Sequence, residues 1–126
     1  MGQRDTILIV DDMEVNRVIL SGLFQEEYHL LEAENGEQAL LLLKQYHGNI
    51  AIMLLDVVMP VMDGYTATRK IRELERPDAK TVPIIAMTAN AFQEDAEKCI
   101  AVGMNAHLAK PLDIEKMKNT IKDNCP

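Results

Sequence analysis

An unbroken apolar run from Ile50 to Leu55 ends abruptly in Asp56, and the chain then breaks at Met59-Pro60 and Asp63-Gly64. No other stretch limits the fold so tightly. A short run with no polar residue on either face reads as a strand covered from both sides, the situation of a central strand in a parallel sheet. The Pro and Gly that follow close it. An acid placed directly after such a run suits a strand end whose carboxylate enters a crevice where a partner can meet its charge. Asp56 taken alone is equally consistent with a plain helix N-cap, a position that favours Asp in any protein. The ends of the other strands separate these two readings.

Thr6–Val10 is a β-branched and aliphatic run that stops at Asp11-Asp12, so a second strand also ends in acids. A helical period begins at Met13, with Asp12 in N-cap position and Val15, Val18, Ile19, Gly22 and Leu23 on one face; its end is expected near Glu26. Residues 28–33 alternate as a weaker strand suited to a sheet edge. Asn35 and Gln38 stand at capping-box spacing before a helix that packs through Ala39, Leu40 and Leu43 and closes at Gly48. After the central strand, Asp63 or Gly64 opens a third helix with Ala67, Thr68, Ile71 and Leu74 inward and Arg69, Lys70 and Arg72 outward. Pro77 falls in the polar loop that follows. Residues 82–87 give a fourth strand, with Pro83 tolerated near its entry, ending at Thr88. Asn90 and Gln93 repeat the capping spacing, and Phe92, Ala96, Cys99 and Ile100 line one helical face up to Gly103. A short strand over 105–109 leads into Lys110-Pro111, and Asp113 caps a last helix with Ile114, Met117 and Ile121 inward.

Strand and helix thus alternate five times, which argues for an α/β fold: a doubly wound parallel sheet with helices on both faces and right-handed crossovers. With 126 residues, 48% of them hydrophobic, the chain fits one domain over 1–126 with a real core. Ligands of such sheets bind beyond the carboxyl ends of the strands. Those ends carry Asp11, Asp12, Asp56, Thr88 and Lys110, so three carboxylates, a hydroxyl and an ammonium are expected to converge on one crevice.

Carboxylates crowded together repel, and protonation or a bound cation relieves the repulsion. Oxygen-only ligation without His or Cys favours a hard ion, and Mg²⁺, which takes one or two carboxylates together with a phosphate oxygen, fits best. Neither a Walker loop nor a GxGxxG is present, so no nucleotide is implied. A carboxylate can itself attack phosphorus to give an acyl phosphate, with Mg²⁺ and a Lys neutralising the phosphoryl oxygens. The net charge of -7 argues against direct binding to nucleic acid or anionic membranes. No run is long enough to span a membrane, and residues 1–6 hold no apolar segment of a secretory signal; a cytoplasmic location is expected. Cys99 and Cys125 are expected to be reduced.

Taken together, Val10-Asp11-Asp12, Leu55-Asp56-Val57-Val58-Met59-Pro60 with Met62-Asp63-Gly64, Met87-Thr88-Ala89 and Lys110-Pro111 resemble the receiver domain of two-component response regulators. The single-domain chemotaxis regulator is its familiar example. The resemblance covers nearly the whole chain and implies a flavodoxin-like (βα)5 fold with strand order 2-1-3-4-5. It further implies that Asp56 is the phosphoacceptor, that Asp12, Asp56 and the backbone carbonyl of Val58 bind Mg²⁺, and that Asp11 holds the metal through water. Lys110 would reach the phosphoryl group, Thr88 would be the switch hydroxyl, and a cis Lys110-Pro111 bond would aim the ammonium. Where the family carries a switch aromatic, this chain has His107; Val58 and Asn90 occupy positions that influence phosphoryl lifetime. The implied partners are a histidine kinase or histidine phosphotransfer protein, and an output domain or protein met through the fourth helix, fifth strand and fifth helix. Such a domain catalyses its own phosphorylation and dephosphorylation without being a conventional enzyme. The wording around 87–91 and 103–106 resembles receivers attached to hybrid sensor kinases.

Three rival readings differ at named positions. A haloacid-dehalogenase-like phosphohydrolase needs a second Asp two residues after its nucleophile, where this chain has Val58. A flavodoxin-like cofactor protein needs a Ser/Thr/Gly-rich phosphate loop, and Asp11-Asp12-Met13-Glu14 stands in its place. A receiver fold used only for protein contacts usually lacks one of the site residues, and all five are present here.

Overall fold

The computed structural model describes residues 6–45, 50–56, 64–74, 77–88, 93–109 and 113–124, with 77, 78, 88, 93–96 and 109 described by backbone alone. Along the chain come β1 (Thr6–Val10), α1 (Glu14–Phe24), β2 (His29–Ala33), α2 (Gly36–Gln45), β3 (Ile50–Asp56), α3 (Gly64–Glu73), α4 (Pro77–Thr81), β4 (Ile84–Thr88), α5 (Gln93–Val102), β5 (Ala106–Ala109) and α6 (Ile114–Asn124). The strands form one sheet in the order β2-β1-β3-β4-β5, every pair parallel. This is the doubly wound, flavodoxin-like arrangement, with β3 at its centre and β2 at an edge.

Why β3 is apolar throughout follows from the pleat, which sends successive side chains to opposite faces. Met53 and Leu55 join a core with Leu8, Val10, Ile71 and Ala86. Ile52 and Leu54 join the opposite core with Ile7, Ile9, Leu20 and Met117. Both layers are buried, so a polar residue at either parity would be taken out of solvent. Pro83 is accommodated because its carbonyl, which needs no N–H, accepts from the Met53 N–H at 2.8 Å.

Several elements depart from the sequence reading. Helix α1 turns Arg17, Leu20 and Phe24 inward, while Val15, Val18 and Ile19 are 56%, 59% and 57% exposed. Most of the apolar stripe expected to pack thus faces outward, while its last member, Leu23, packs partly buried against the core. Leu20 and Phe24 offer larger apolar area, and burying such side chains fully contributes about 1.5–3 kcal/mol each. The N-cap of α1 is Met13, without a side-chain cap, so Asp12 does not cap it, and the helix ends at Phe24. Pro77 opens the short helix α4, as Pro does at a first helical position, where its missing N–H costs nothing. Ile100 and Ile114 are exposed.

Arg72, expected to point outward, folds back instead. Its Nε and Nη2 donate to the Gly103 carbonyl at 3.0 and 2.7 Å, Nη1 to the carbonyls of Val82 and Ala79 at 2.8 and 3.1 Å, and Nη2 also to Asn105 Oδ1 at 2.9 Å. Burial pulls its pKa below the ordinary value. Asn105 extends the clasp by accepting from the Ile84 N–H at 2.9 Å and donating its own N–H to the Ile84 carbonyl at 2.8 Å. The capping expectations fare better: Asn35 Oδ1 accepts from Gln38 N–H at 2.9 Å, and Asp113 Oδ1 from Lys116 N–H at 3.1 Å. Gln38 Oε1 closes its half of the box one residue early, on Glu34 N–H at 2.8 Å.

Candidate functional site

The strand order reverses between β1 and β3, and their register places Val10 opposite Leu55. The next residues, Asp11 and Asp56, therefore leave the sheet side by side at the switch point, where ligands of open α/β sheets bind. Asp11, Asp12 and Asp56 each bring a carboxylate oxygen within 4.8 Å of the others. Asp11 and Asp56 are buried and Asp12 is exposed, so the group is anchored on one side and open to solvent on the other.

Asp11 is held at every polar atom. Its N–H donates to the Ala33 carbonyl at 3.1 Å, Oδ1 accepts from Met13 N–H at 2.9 Å and Oδ2 from Asn16 Nδ2 at 3.2 Å. Its carbonyl accepts from Arg17 Nη1 at 2.8 Å. Arg17 in turn pairs through Nε with Glu32 Oε1 at 3.1 Å, and its Nη2 lies 4.0 Å from Glu34 Oε1. Ser21 Oγ approaches the second oxygen of Glu32 at 3.5 Å, a long and weak contact.

Asn16, Arg17 and Glu32 had no assigned part in the sequence reading. Their signal was a polar pair, Asn16 and Arg17, ahead of the aliphatic run 18–20, with one acid, Glu32, in the edge strand and a second, Glu34, just past its end. Asp56 pairs with Met87 and Thr88 with Ala109, so the backbone of Thr88 stands one step beyond the Asp56 level on the neighbouring strand. Val58, Asn90 and Lys110, and with them the Lys110-Pro111 bond, lie outside the described residues. His107, half-buried on β5, pairs in register with Ala86, three residues before the position expected for the lysine.

Three carboxylates without a His or Cys donor among them fit a hard divalent ion. Fixed Asp11 and accessible Asp12 leave room for the waters that Mg²⁺ retains. Chemically, such a crevice can bind a metal and present a buried carboxylate to an incoming phosphoryl group.

Fold and site together define a doubly wound α/β protein with an acidic crevice at its switch point. The response regulator receiver domain matches residues 7–122, and the chain belongs to that family. It is 40% identical over 116 residues to sensor histidine kinase RcsC of Escherichia coli, covering 91% of this chain and 12% of that protein. The chain thus spans between 6% and 15% of the length of the first curated relatives it matches. The receiver domain of sensor histidine kinase PA1611 from Pseudomonas aeruginosa, solved with magnesium coordinated in its active site cleft, superposes with a TM-score of 0.83 at 34% identity, over 97% of this chain and 98% of that one. The Saccharomyces cerevisiae complex of the histidine phosphotransfer protein Ypd1 with the receiver domain of Ssk1 gives a TM-score of 0.87 at 26% identity, over 99% of this chain and 91% of the matched one. Among the described residues no helix is long and apolar enough to cross a membrane.

Proposed function

We propose that residues 1–126 act as one receiver domain of a two-component phosphorelay, in which Asp56 accepts a phosphoryl group from a phosphohistidine partner with Mg²⁺ bound beside it. The observation that carries this reading is the convergence of Asp11, Asp12 and Asp56 at the switch point, their oxygens within 4.8 Å of one another. In the transfer an Asp56 carboxylate oxygen attacks phosphorus, the O–P bond forms, and the N–P bond to the donor imidazole breaks. The imidazole leaves carrying the electron pair and takes up a proton, and an acyl phosphate remains on Asp56. Bound Mg²⁺ would neutralise charge on the phosphoryl oxygens. Asp12, Asp56 and the Val58 carbonyl are its ligands in this proposal, and Asp11 holds it through water.

Lys110 meets the phosphoryl group, and the Thr88 hydroxyl moves toward it because new acceptor oxygens reward that approach. His107 takes the place of the switch aromatic, and Val58 and Asn90 tune how long the acyl phosphate lasts. A catalytic lifetime set within the domain makes it a signalling module rather than a conventional enzyme. It would operate in the cytoplasm, with no nucleic acid as direct ligand.

The donor is a histidine kinase or a histidine phosphotransfer protein, a partner supported by the yeast complex of like fold. Beside the crevice, Met13, Val15, Val18 and Ile19 expose apolar side chains, a surface that a protein donor can cover while its histidine reaches Asp56. The output face is formed by α5, β5 and α6, the short α4 having raised the helix count by one.

Calorimetric or NMR titration with Mg²⁺ tests the metal centre. Wild type is expected to bind with Asp12→Ala weakened at least about 10-fold, the loss of one ligand oxygen from a hard-ion site. Equal affinity in the two proteins would contradict the assignment.

A further inference from the structure

Arg17 is 9% exposed, on a helix whose outer face carries three exposed aliphatic side chains. Burying a guanidinium while leaving Val15, Val18 and Ile19 in water is not what apolar packing alone favours, and a buried ion pair is weak evidence for stability. What the arrangement achieves is local. The carbonyl that accepts from Nη1 at 2.8 Å belongs to the peptide joining Asp11 to Asp12, the two carboxylates that the β1 end contributes to the acidic group. Fixing that peptide fixes the origin of both side chains. The opposite flank of the guanidinium is held by Glu32 at 3.1 Å, so the orientation of the acidic turn is tied to edge strand β2.

We infer that Arg17 is a positioning residue of the metal centre: it locks the Asp11-Asp12 peptide so that both carboxylates face Asp56, with Glu32 as its anchor. This rests on the Mg²⁺ reading above. Two physical effects of Arg17 on a divalent ion have opposite signs. Its positive charge repels the ion, so removing the charge alone would tighten binding. Its hydrogen bonds orient the ligands, so removing them loosens binding, and lost outer partners of metal ligands typically cost about 10–100-fold in affinity. The direction of the change therefore tells which effect governs.

The test is Mg²⁺ titration by calorimetry on wild type, Arg17→Gln, Arg17→Lys and Glu32→Gln, each checked by thermal unfolding so that affinities refer to folded protein. Arg17→Gln is expected to bind Mg²⁺ about 10-fold more weakly. Arg17→Lys should recover little of this, because a single ammonium cannot reproduce the fork that spans the Asp11 carbonyl and Glu32. Glu32→Gln, which keeps the Arg17 bond to Asp11 and loosens its anchor, should weaken binding by roughly 2–3-fold, less than the full loss of an outer partner. Unchanged or tighter binding by folded Arg17→Gln overturns the inference, as does wild-type affinity in Arg17→Lys, which would show that the guanidinium fork is not needed. A purely structural role would lower the unfolding temperature and leave affinity untouched. Should Arg17→Gln not fold, Arg17→Lys and Glu32→Gln decide, and wild-type affinity in either overturns it. Absence of Mg²⁺ binding by the wild type would instead overturn the metal reading itself.

Discussion

Two glycines show how a single residue's surroundings set the sign of a substitution. Gly103 has φ +109°, and a Cβ there would meet Arg72 Cγ at 3.0 Å. Gly103→Ala therefore forces both a strained backbone and a shift of the Arg72 clasp, and a loss of at least about 1 kcal/mol is expected. Gly22 lies within α1 with nothing within 4 Å of the same added atom. Gly22→Ala removes unfolded-state freedom without a clash and is expected to stabilise by about 0.5–1 kcal/mol. Urea unfolding of the two variants measures both; a stabilised Gly103→Ala would contradict the clasp geometry. The three carboxylates obey the same logic of surroundings. Asp11 reached by Met13, Asn16 and the Ala33 carbonyl is a fixed fitting, whereas exposed Asp12 keeps its freedom to meet a ligand.

At the scale of elements, the strands were legible and the helix faces less so. Ile50–Asp56 was readable because a strand apolar at both parities admits one environment, and its bounds match β3. Helix α1 carries two apolar stripes, and periodicity states that a stripe exists without stating which one the sheet receives. The deciding information was an inward cation whose acceptors, the Asp11 carbonyl and Glu32, come from other elements. Arg72 was misread for the same reason: its acceptors at Gly103, Val82 and Ala79 are brought together only by the tertiary fold. In the site, the three acids were legible as strand ends, while Asn16, Arg17 and Glu32 showed only as polar residues among apolar ones, since the contacts that make them supports join separate elements. The outer stripe of α1 is the surface proposed above to be covered by a phosphodonor. Replacing Val18 and Ile19 together with Gln is expected to slow phosphoryl transfer from a protein donor at least about 10-fold, the loss of apolar anchors from an interface. Stability should change by only about 0.5 kcal/mol, as at other exposed sites, and phosphorylation by acetyl phosphate should be unaffected. Equal slowing with both donors would contradict a docking role.

Across the whole molecule, the sheet separates two packed layers, one under α1 and α6 and the other under α2, α3, α4 and α5. The acidic crevice opens at the carboxyl end of β1 and β3, and β4 and β5 continue the same sheet edge to Thr88 and Ala109. Lys98 of α5 stands 4.4 Å over the Tyr65 ring of α3, and Arg72 clasps α3 to the turn between α5 and β5. Strand β4 pairs both with β3, which carries Asp56, and with β5, part of the region proposed for output. The proposed function rests on one chemical event at Asp56, and phosphoryl incorporation measures it most directly. Wild type and Asp56→Asn, each with Mg²⁺, are exposed to acetyl phosphate or a phosphohistidine donor and followed by intact mass. Wild type is expected to gain one phosphoryl group, labile to acid and base, and Asp56→Asn, which keeps the shape but lacks the anionic oxygen, is expected to gain none. Undiminished incorporation in Asp56→Asn would contradict the account.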